Sequence, residues 1–298
     1  MRITTNTVSD QVIQQIQTLS SRQARLQNQV STGQKLFEAE DNPAAIGRVI
    51  NLESEQRQVG QYSRNVTRAL SVSQASYAGL QAVKKVSDRA TEIGVLGAGV
   101  NGASASAAYA SEVDQLIEQS LQAANGKLGN DYLYAGTAVD TAPFTATRDA
   151  NGQITGVTYG GNNQRTSIPV SETSNLAPGV SGATNAGLGD FVNHLVALRD
   201  ALKANDPTAV AAVQKNLIAN EDQMVSAIAE QGGIQTRIEA AQSQQQARST
   251  TLTSLVSDEV NADLPTTLVK LSQATTAYQA ALQSGSSIMK LSLLDYIH

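Results

Sequence analysis

Apolar residues recur in alternating steps of four and three near the start of the chain. The positions with this spacing are Val12, Ile16, Leu19, Gln23, Leu26 and Val30. A heptad pattern of this kind predicts an amphipathic helix whose inward-facing row of residues, its seam, packs against a second helix. The pattern stops at Gly33, a residue typical of helix ends, so we expect the first helix to finish there.

A longer heptad seam follows Asn42 and Pro43, two residues suited to the N-cap and first position of a helix. Its apolar members include Val49, Leu52, Val59, Val66 and Leu70, and the pattern continues to about Ile93. We predict one helix over this range, several times longer than the average helix of a globular protein.

Asp206 and Pro207 open a third seam in the same way. Its core-facing members include Leu217, Met224, Ile234, Ile238, Leu252 and Leu255. The spacing keeps its phase through Gly232 and Gly233, which taken alone would indicate a turn. We therefore predict a continuous helix with a weak point at the two glycines.

The phase breaks at the stretch NADLP, and a last seam begins beyond Pro265. Its members are Leu268, Leu271, Thr275, Tyr278, Leu282, Gly285 and Met289. We expect this seam to pack on Val12 to Val30. Each end of the chain thus joins a short seam to a long one through a phase break. The pattern predicts a mainly α fold: a long antiparallel helical rod or coiled coil built from both termini. An ordinary helical bundle on which the ends merely pack also fits the periodicity.

Between the long seams the character of the chain changes. A shorter helix is predicted from about Ala105 to Ala124. The stretch FTATRDANGQITGVTYGG predicts two strands joined at Asn151 and Gly152, and so a small β-rich inserted domain. LAPGVSGATNAGLG is interpreted as a flexible return to the helices, after which Asp190 caps a helix through Lys203.

Composition excludes several classes of function. The chain has no cysteine, so it can form no disulfide and offers no thiolate nucleophile or sulfur-ligated metal. The formal net charge is -5 and the basic residues are scattered, which argues against a nucleic-acid partner. No apolar run approaches the length needed to span a membrane, and the start MRITTNTVSDQ lacks the pattern of a secretory signal.

One motif indicates an enzyme. Gly97, Gly99 and Gly102 match the G-x-G-x-x-G spacing of dinucleotide-binding turns. Such a turn needs a strand before it, whereas a long helical pattern precedes this one, which favours a turn between two helices. His194 and His298 lack the spacing of a metal pair. We predict no catalytic residue, no metal site and no cofactor, and we expect the tyrosines, including Tyr134, to be structural anchors.

Several stretches resemble the flagellin superfamily, most closely its hook-associated protein 3 branch. VSTGQKLFEAEDNPAAIGRVINLESE is similar to that branch around the start of the long helix, and the last residues, ending in LSLLDYIH, resemble its terminal helix. NDYLYAGTAVDTAPF resembles the entry into its β domain. The resemblance implies a terminal coiled-coil domain at 1–38 and 262–298, a helical rod domain at 39–135 and 190–261, and a surface-exposed β insertion at 136–189.

The resemblance also implies a function. It implies a structural, non-enzymatic protein of the extracellular bacterial flagellum, at the junction between hook and filament. The implied partners are flagellin, hook-associated protein 1, further copies of the chain and an export chaperone, with export through the flagellar secretion channel. The implied contacts with neighbouring subunits come from the last apolar residues of the chain, among them Leu293, Leu294 and Ile297.

Two alternatives stay open at this point. Flagellin itself shares both terminal regions, although the run Asp41 to Ala45, with its proline, and the ending LDYIH favour the junction protein. A secreted coiled-coil assembly protein without a flagellar role also fits. Because the terminal helices carry few apolar residues for their length, we expect both ends to be disordered in the monomer and to order on polymerisation.

Overall fold

Six helices make up most of the part of the chain that the structure describes. A computed structural model describes residues 5–38, 40, 42–99 and 102–297, and it describes the side chains of all of these except residues 5–9 and 288–297. The helices are α1 (Thr5–Thr32), α2 (Pro43–Gly97), α3 (Ala103–Ala124), α4 (Gly182–Lys203), α5 (Pro207–Val260) and α6 (Leu264–Ile297). The predicted mainly α fold is confirmed.

Six short strands lie between α3 and α4 and form three two-stranded antiparallel sheets. They are β1 (Lys127–Leu128), β2 (Asp131–Tyr132), β3 (Phe144–Arg148), β4 (Ile154–Tyr159), β5 (Ile168–Pro169) and β6 (Asn175–Leu176). They pair in chain order, β1 with β2, β3 with β4 and β5 with β6. The predicted small β-rich insertion is therefore present.

The caps predicted for the two long helices are confirmed. The Asn42 Oδ1 atom accepts a hydrogen bond from the Ala45 amide at 3.1 Å. The Asp206 Oδ1 atom accepts from the amides of Thr208 at 2.9 Å and Ala209 at 3.1 Å. These side chains satisfy amides that have no partner inside the helix, and so they fix where α2 and α5 begin.

The chain divides into two compact units. Unit 1 comprises Met1–Arg57 and Ser249–His298, and unit 2 comprises Gln58–Arg248. In unit 1, α1 packs antiparallel to α6, and the two predicted phase breaks lie side by side. Gln34 and Asn261 form an antiparallel bridge, and the Ala262 amide donates to the Gly33 carbonyl at 2.8 Å.

The described residues of unit 2 form two separate apolar cores. The first core joins α2, α3, α4, α5 and the β3–β4 hairpin, and its fully buried members include Leu80, Ile93, Ile117, Phe144, Leu188, Phe191, Leu195 and Leu217. The second core is smaller and consists of Val66, Ala69, Val170, Leu176, Ile234 and Ile238. It fastens the segment around β5 and β6 onto α2 and α5.

The β3–β4 hairpin turns where the sequence predicts. The Asp149 Oδ1 atom accepts hydrogen bonds from the amides of Asn151 at 2.9 Å and Gln153 at 2.8 Å. Gly152 has a φ of 81°, a left-handed conformation that glycine adopts without strain. At the other end of the hairpin, the rings of Phe144 and Tyr159 lie 5.2 Å apart.

The structure corrects the predicted start of α4. The helix begins at Gly182 rather than at Asp190, so residues 182–189 are helical and not part of a flexible return. Ser181 is its N-cap, with its Oγ atom accepting from the Thr184 amide at 3.2 Å. The glycines that indicated a loop allow close packing instead. A Cβ at Gly189 would lie 3.4 Å from the Phe144 ring.

Candidate assembly surface

The predicted seam of α1 faces inward in unit 1. Leu26 is buried, with 8% of its surface exposed. The other apolar members are half-buried, namely Val12, Ile16, Leu19 and Val30. The pair of terminal helices, α1 and α6, thus covers only part of the apolar surface of this seam.

Small residues mark the closest approach of α6 to α1. A Cβ at Gly285 would lie 3.1 Å from the Val12 Cγ1 atom and 3.2 Å from the Ile16 Cδ1 atom. Ala274 is also buried, and Leu271 and Tyr278 are half-buried on the same face. Their helical spacing with Gly285 defines the inward face of α6.

Two residues that were predicted to face inward in the α6 seam are exposed in the structure. Leu268 and Leu282 were expected to pack on α1, but their exposed fractions are 51% and 44%. The reason is that small residues let the two helices approach closely, so the inward face centres on Ala274 and Gly285. Leu264, 43% exposed, lies on the same side of α6 by helical spacing. We call Leu264, Leu268 and Leu282 the apolar flank.

Four further predicted contact residues lie at the end of α6. These are Met289, Leu293, Leu294 and Ile297, and their side chains lie outside the described residues. Their packing on neighbouring subunits stays a prediction.

The α2 and α5 seams follow the predicted pattern with one exception. The buried members are Val49, Val59, Val66, Leu217, Met224, Ile234, Ile238 and Leu252. Leu52 and Leu70 are half-buried. Leu255 was predicted to face inward, but its side chain is 42% exposed, so this prediction is wrong. The next inward position after Leu252 is instead the half-buried Val256.

An ion pair links α2 and α5 inside unit 1. The Arg48 guanidinium donates from Nε to Glu259 Oε1 at 2.8 Å and from Nη2 to Oε2 at 3.0 Å. The hydrogen bonds from Arg48 hold the pKa of the Glu259 carboxyl below its usual range. Two parallel bonds give the pair a defined geometry.

The spacing of apolar residues did not predict that the Arg199 side chain is buried. This residue of α4 is 3% exposed. Its Nη1 atom donates to Asp114 Oδ1 at 3.0 Å and to the Ile154 carbonyl at 2.7 Å. One buried cation therefore joins α3, α4 and β4. A long charged side chain in mid-helix ordinarily indicates a solvent-facing position, so sequence reasoning had no signal for it.

Tyr134 anchors the start of the β-rich segment on α2. Its ring is fully buried, and its hydroxyl donates to the Ser76 carbonyl at 2.8 Å. The hydroxyl lies against Gly79, where any Cβ would collide with it. Burial raises the pKa of the Tyr134 hydroxyl. The expectation that this tyrosine is a structural anchor agrees with these contacts.

The glycine motif lies between two helices. Gly97 is the last residue of α2, and a Cβ there would lie 2.5 Å from the Leu202 Cδ2 atom. The motif therefore follows a helix, whereas a dinucleotide-binding turn follows a strand. The glycine at 97 is explained by packing against α4.

One of the two histidines, His194, lies among the described residues and pairs with an amide side chain. The Nδ1 atom of His194 lies 2.6 Å from the Asn220 Oδ1 atom, and His298 lies outside the described residues. Within the described part of the chain, no cluster of three or more His, Cys, Asp or Glu side chains is placed to bind a metal ion. In the same residues, no helix combines the length and the apolar character that crossing a bilayer would need.

A cavity of about 500 Å³ lies in unit 2 beside β1 and β2. Its walls are mainly apolar, and they include the arginines Arg68 and Arg165. Both pair with carboxylates, Arg68 with Asp131 at 3.1 Å and Arg165 with Glu230 at 2.6 Å. The lining residues include no histidine that could act as a general base.

A family model of a helical region matches the part of the chain that contains α1 and α2. Residues 3–138 match the model of the bacterial flagellin N-terminal helical region. This part of the chain is similar to the helical region of flagellins. No curated protein sequence matches it.

Solved structures share the fold of this chain. FlgL from Bacillus cereus is 18% identical, with a TM-score of 0.60 over 70% of this chain and 99% of its own. A candidate flagellar hook-associated protein from Vibrio parahaemolyticus is 17% identical, with a TM-score of 0.65 over 74% of this chain and 100% of its own. The flagellar junction protein FlgL from Legionella pneumophila is 11% identical, with a TM-score of 0.53 over 72% of this chain and 100% of its own.

Proposed function

We propose that this chain is the structural subunit of the hook-filament junction of the bacterial flagellum, hook-associated protein 3. One observation carries the proposal. The fold matches structures of FlgL and of hook-associated protein 3 over nearly their whole length. The match of residues 3–138 to the flagellin N-terminal helical region supports a place in the same axial assembly.

The mechanism is packing between subunits rather than catalysis. The apolar flank of α6 leaves three leucines 43%, 51% and 44% exposed, which favours a partner surface that covers them. The α1 seam is itself only half-covered within unit 1. In this proposal, neighbouring copies of the chain, hook-associated protein 1 and flagellin bury these surfaces.

Export and location belong to the same proposal. The subunit would reach the extracellular flagellum through the flagellar secretion channel, held by an export chaperone until it assembles. Terminal helices with incompletely covered apolar faces are suited to a chaperone that shields them before polymerisation.

Electron microscopy of hook ends tests the proposal. Isolated hooks that carry hook-associated protein 1 are incubated with the purified chain and then with flagellin. We expect a short collar that stops growing, and filament growth only after the collar has formed. Hooks that receive flagellin without this chain are the control and should remain bare.

The same experiment distinguishes a junction subunit from a flagellin, which is the main alternative. The family model that matches the chain is named for flagellin, which favours a filament subunit as the second candidate. Long filaments grown from this chain alone would identify a flagellin. Failure both to add to hooks and to polymerise into filaments would contradict both functions and favour a secreted coiled-coil assembly protein.

A further inference from the structure

Two consecutive glycines occupy the interior of α5 without any packing reason. A Cβ placed at Gly232 or at Gly233 would meet no atom within 4 Å. Glycine is among the least favourable residues in a helix interior, because it gives the unfolded chain more freedom. Alanine would fit at both positions, so the fold itself does not require glycine there.

The glycine pair lies at the boundary between the two cores of unit 2. On its amino-terminal side, Met224 and Ala227 belong to the first core. On its carboxyl-terminal side, Ile234 and Ile238 belong to the second core. The flexible point of α5 thus coincides with a gap in apolar packing.

The segment of α2 that faces the glycine pair has a gap in its apolar packing at the same level. Val66 and Ala69 belong to the second core and Leu80 to the first. Between them, Ser73 and Ser76 are fully buried, and the Ser76 hydroxyl has no hydrogen-bond partner among the described residues. Buried hydroxyls replace the apolar contact that would otherwise connect the cores.

One hydrogen-bonded residue bridges this layer. The Gln231 Nε2 atom donates to Ser73 Oγ at 2.7 Å and to the Pro178 carbonyl at 2.7 Å. Next to it, the Thr236 hydroxyl donates to the Gly232 carbonyl at 3.2 Å. Bonds from a threonine back to the preceding turn bend helices, and sharp bends occur at Gly and Ser pairs.

We propose that Gln231, Gly232 and Gly233 of α5, together with Ser73 and Ser76 of α2, form a flexible joint inside unit 2. Gln231 keeps the two helices in contact, and the glycines let α5 bend beside it. The first and second cores therefore open and move independently. The joint rests on packing inside the chain, so it stands or falls separately from the proposed place in the flagellum.

Hydrogen exchange of the full-length monomer, followed by mass spectrometry, tests the independence of the cores. Ile238→Ala removes a fully buried side chain of the second core. We expect exchange to speed up about tenfold or more in residues 235–241 and 66–70. In α3 and α4, which belong to the first core, exchange should stay within about twofold of the original rate. Where Ile238→Ala leaves the second core unfolded, Ile238→Val provides the milder perturbation.

The glycines are tested by repeating the measurement in a Gly232→Ala, Gly233→Ala background. A stiff helix couples the cores, so Ile238→Ala should then speed exchange in α4 as well. The matched control is Gly60→Ala, at another helical position where a Cβ meets only the end of Arg64 at 3.8 Å, and it should leave the cores uncoupled. Equal acceleration of both cores in the glycine-containing chain would overturn the proposal. So would cores that stay uncoupled after the double alanine substitution.

Discussion

At the scale of single residues, polar side chains inside unit 2 fix elements that apolar contacts alone would leave free to slide. Arg199 is the strongest case, because it is a buried cation with partners on two other elements. Arg199→Met should destabilise the protein by about 2 to 3 kcal/mol, since the Ile154 carbonyl loses this donor and Asp114 loses one of its charged partners. Urea unfolding followed by circular dichroism measures the change.

The control for this variant is Arg68→Met. The Arg68 side chain is 70% exposed and pairs with Asp131 at 3.1 Å. Exposed ion pairs contribute little, so we expect a change of about 1 kcal/mol or less. Equal losses in the two variants would mean that Arg199 has no special role.

The buried Tyr134 should make the folded state of unit 2 less stable at alkaline pH. Its pKa is raised by burial, whereas tyrosine in an unfolded chain ionises near pH 10. Above about pH 10 the unfolded state has lost this proton and the folded state still holds it, so stability falls as pH rises. The contribution is complete below about pH 10, and each pH unit above it removes about 1.4 kcal/mol.

Tyr134→Phe isolates this effect. The variant should lose about 1 kcal/mol at neutral pH, because the bond to the Ser76 carbonyl is gone. It should also show a shallower fall in stability between about pH 10 and pH 11 than the parent chain. Urea unfolding at a series of pH values measures both. An unchanged alkaline slope would mean that the Tyr134 hydroxyl is not held in its protonated form by the fold.

At the scale of elements, the sequence predicted long helices well and the segments made of small residues poorly. Heptad spacing and the caps at Asn42 and Asp206 placed α2 and α5, because a long seam repeats the same signal many times. For α6 the pattern included the buried Gly285, but it also placed Leu268 and Leu282 on the inward face and missed Ala274. Small residues carry no hydrophobic signal although they decide how closely two helices approach.

The start of α4 can be tested by its cap. Ser181→Ala removes the hydroxyl that accepts from the Thr184 amide and should cost about 1 kcal/mol. Asp190→Ala removes an exposed side chain from the middle of the helix and should change stability by less than about 0.5 kcal/mol. Thermal unfolding of both variants measures the difference. The reverse order would place the start of the helix at Asp190.

The apolar flank of α6 can be tested apart from the fold. Leu268→Gln with Leu282→Gln alters two exposed side chains, so the circular dichroism of the monomer should not change. Addition to hook ends should fall at least about tenfold, because the partner surface loses apolar contact. Lys270→Gln with Gln283→Ala, at exposed positions of the same helix, should assemble normally. Normal assembly of the leucine variant would remove the flank from the interface.

At the scale of the whole molecule, unit 1 and unit 2 differ in how completely they cover their apolar residues. The first core of unit 2 contains many side chains with 2% exposure or less, whereas Leu26 is the most buried of the described α1 seam residues, at 8%. Burial of apolar surface is the main favourable term in folding. We therefore expect unit 2 to hold its structure without a partner, whereas the α1 and α6 pair leaves more of its own apolar surface uncovered.

This difference predicts that the terminal helices depend on assembly. In the monomer, amides of residues 10–30 should exchange within seconds to minutes, while those of α3 and α4 stay protected. In the assembled collar, the same residues should become protected by at least about a hundredfold, because neighbouring subunits cover Val12, Ile16 and Leu19. Hydrogen exchange on both samples measures the ratio. Strong protection of residues 10–30 in the monomer would mean that α1 and α6 fold together before assembly, and that the collar selects a terminal coil that is already formed.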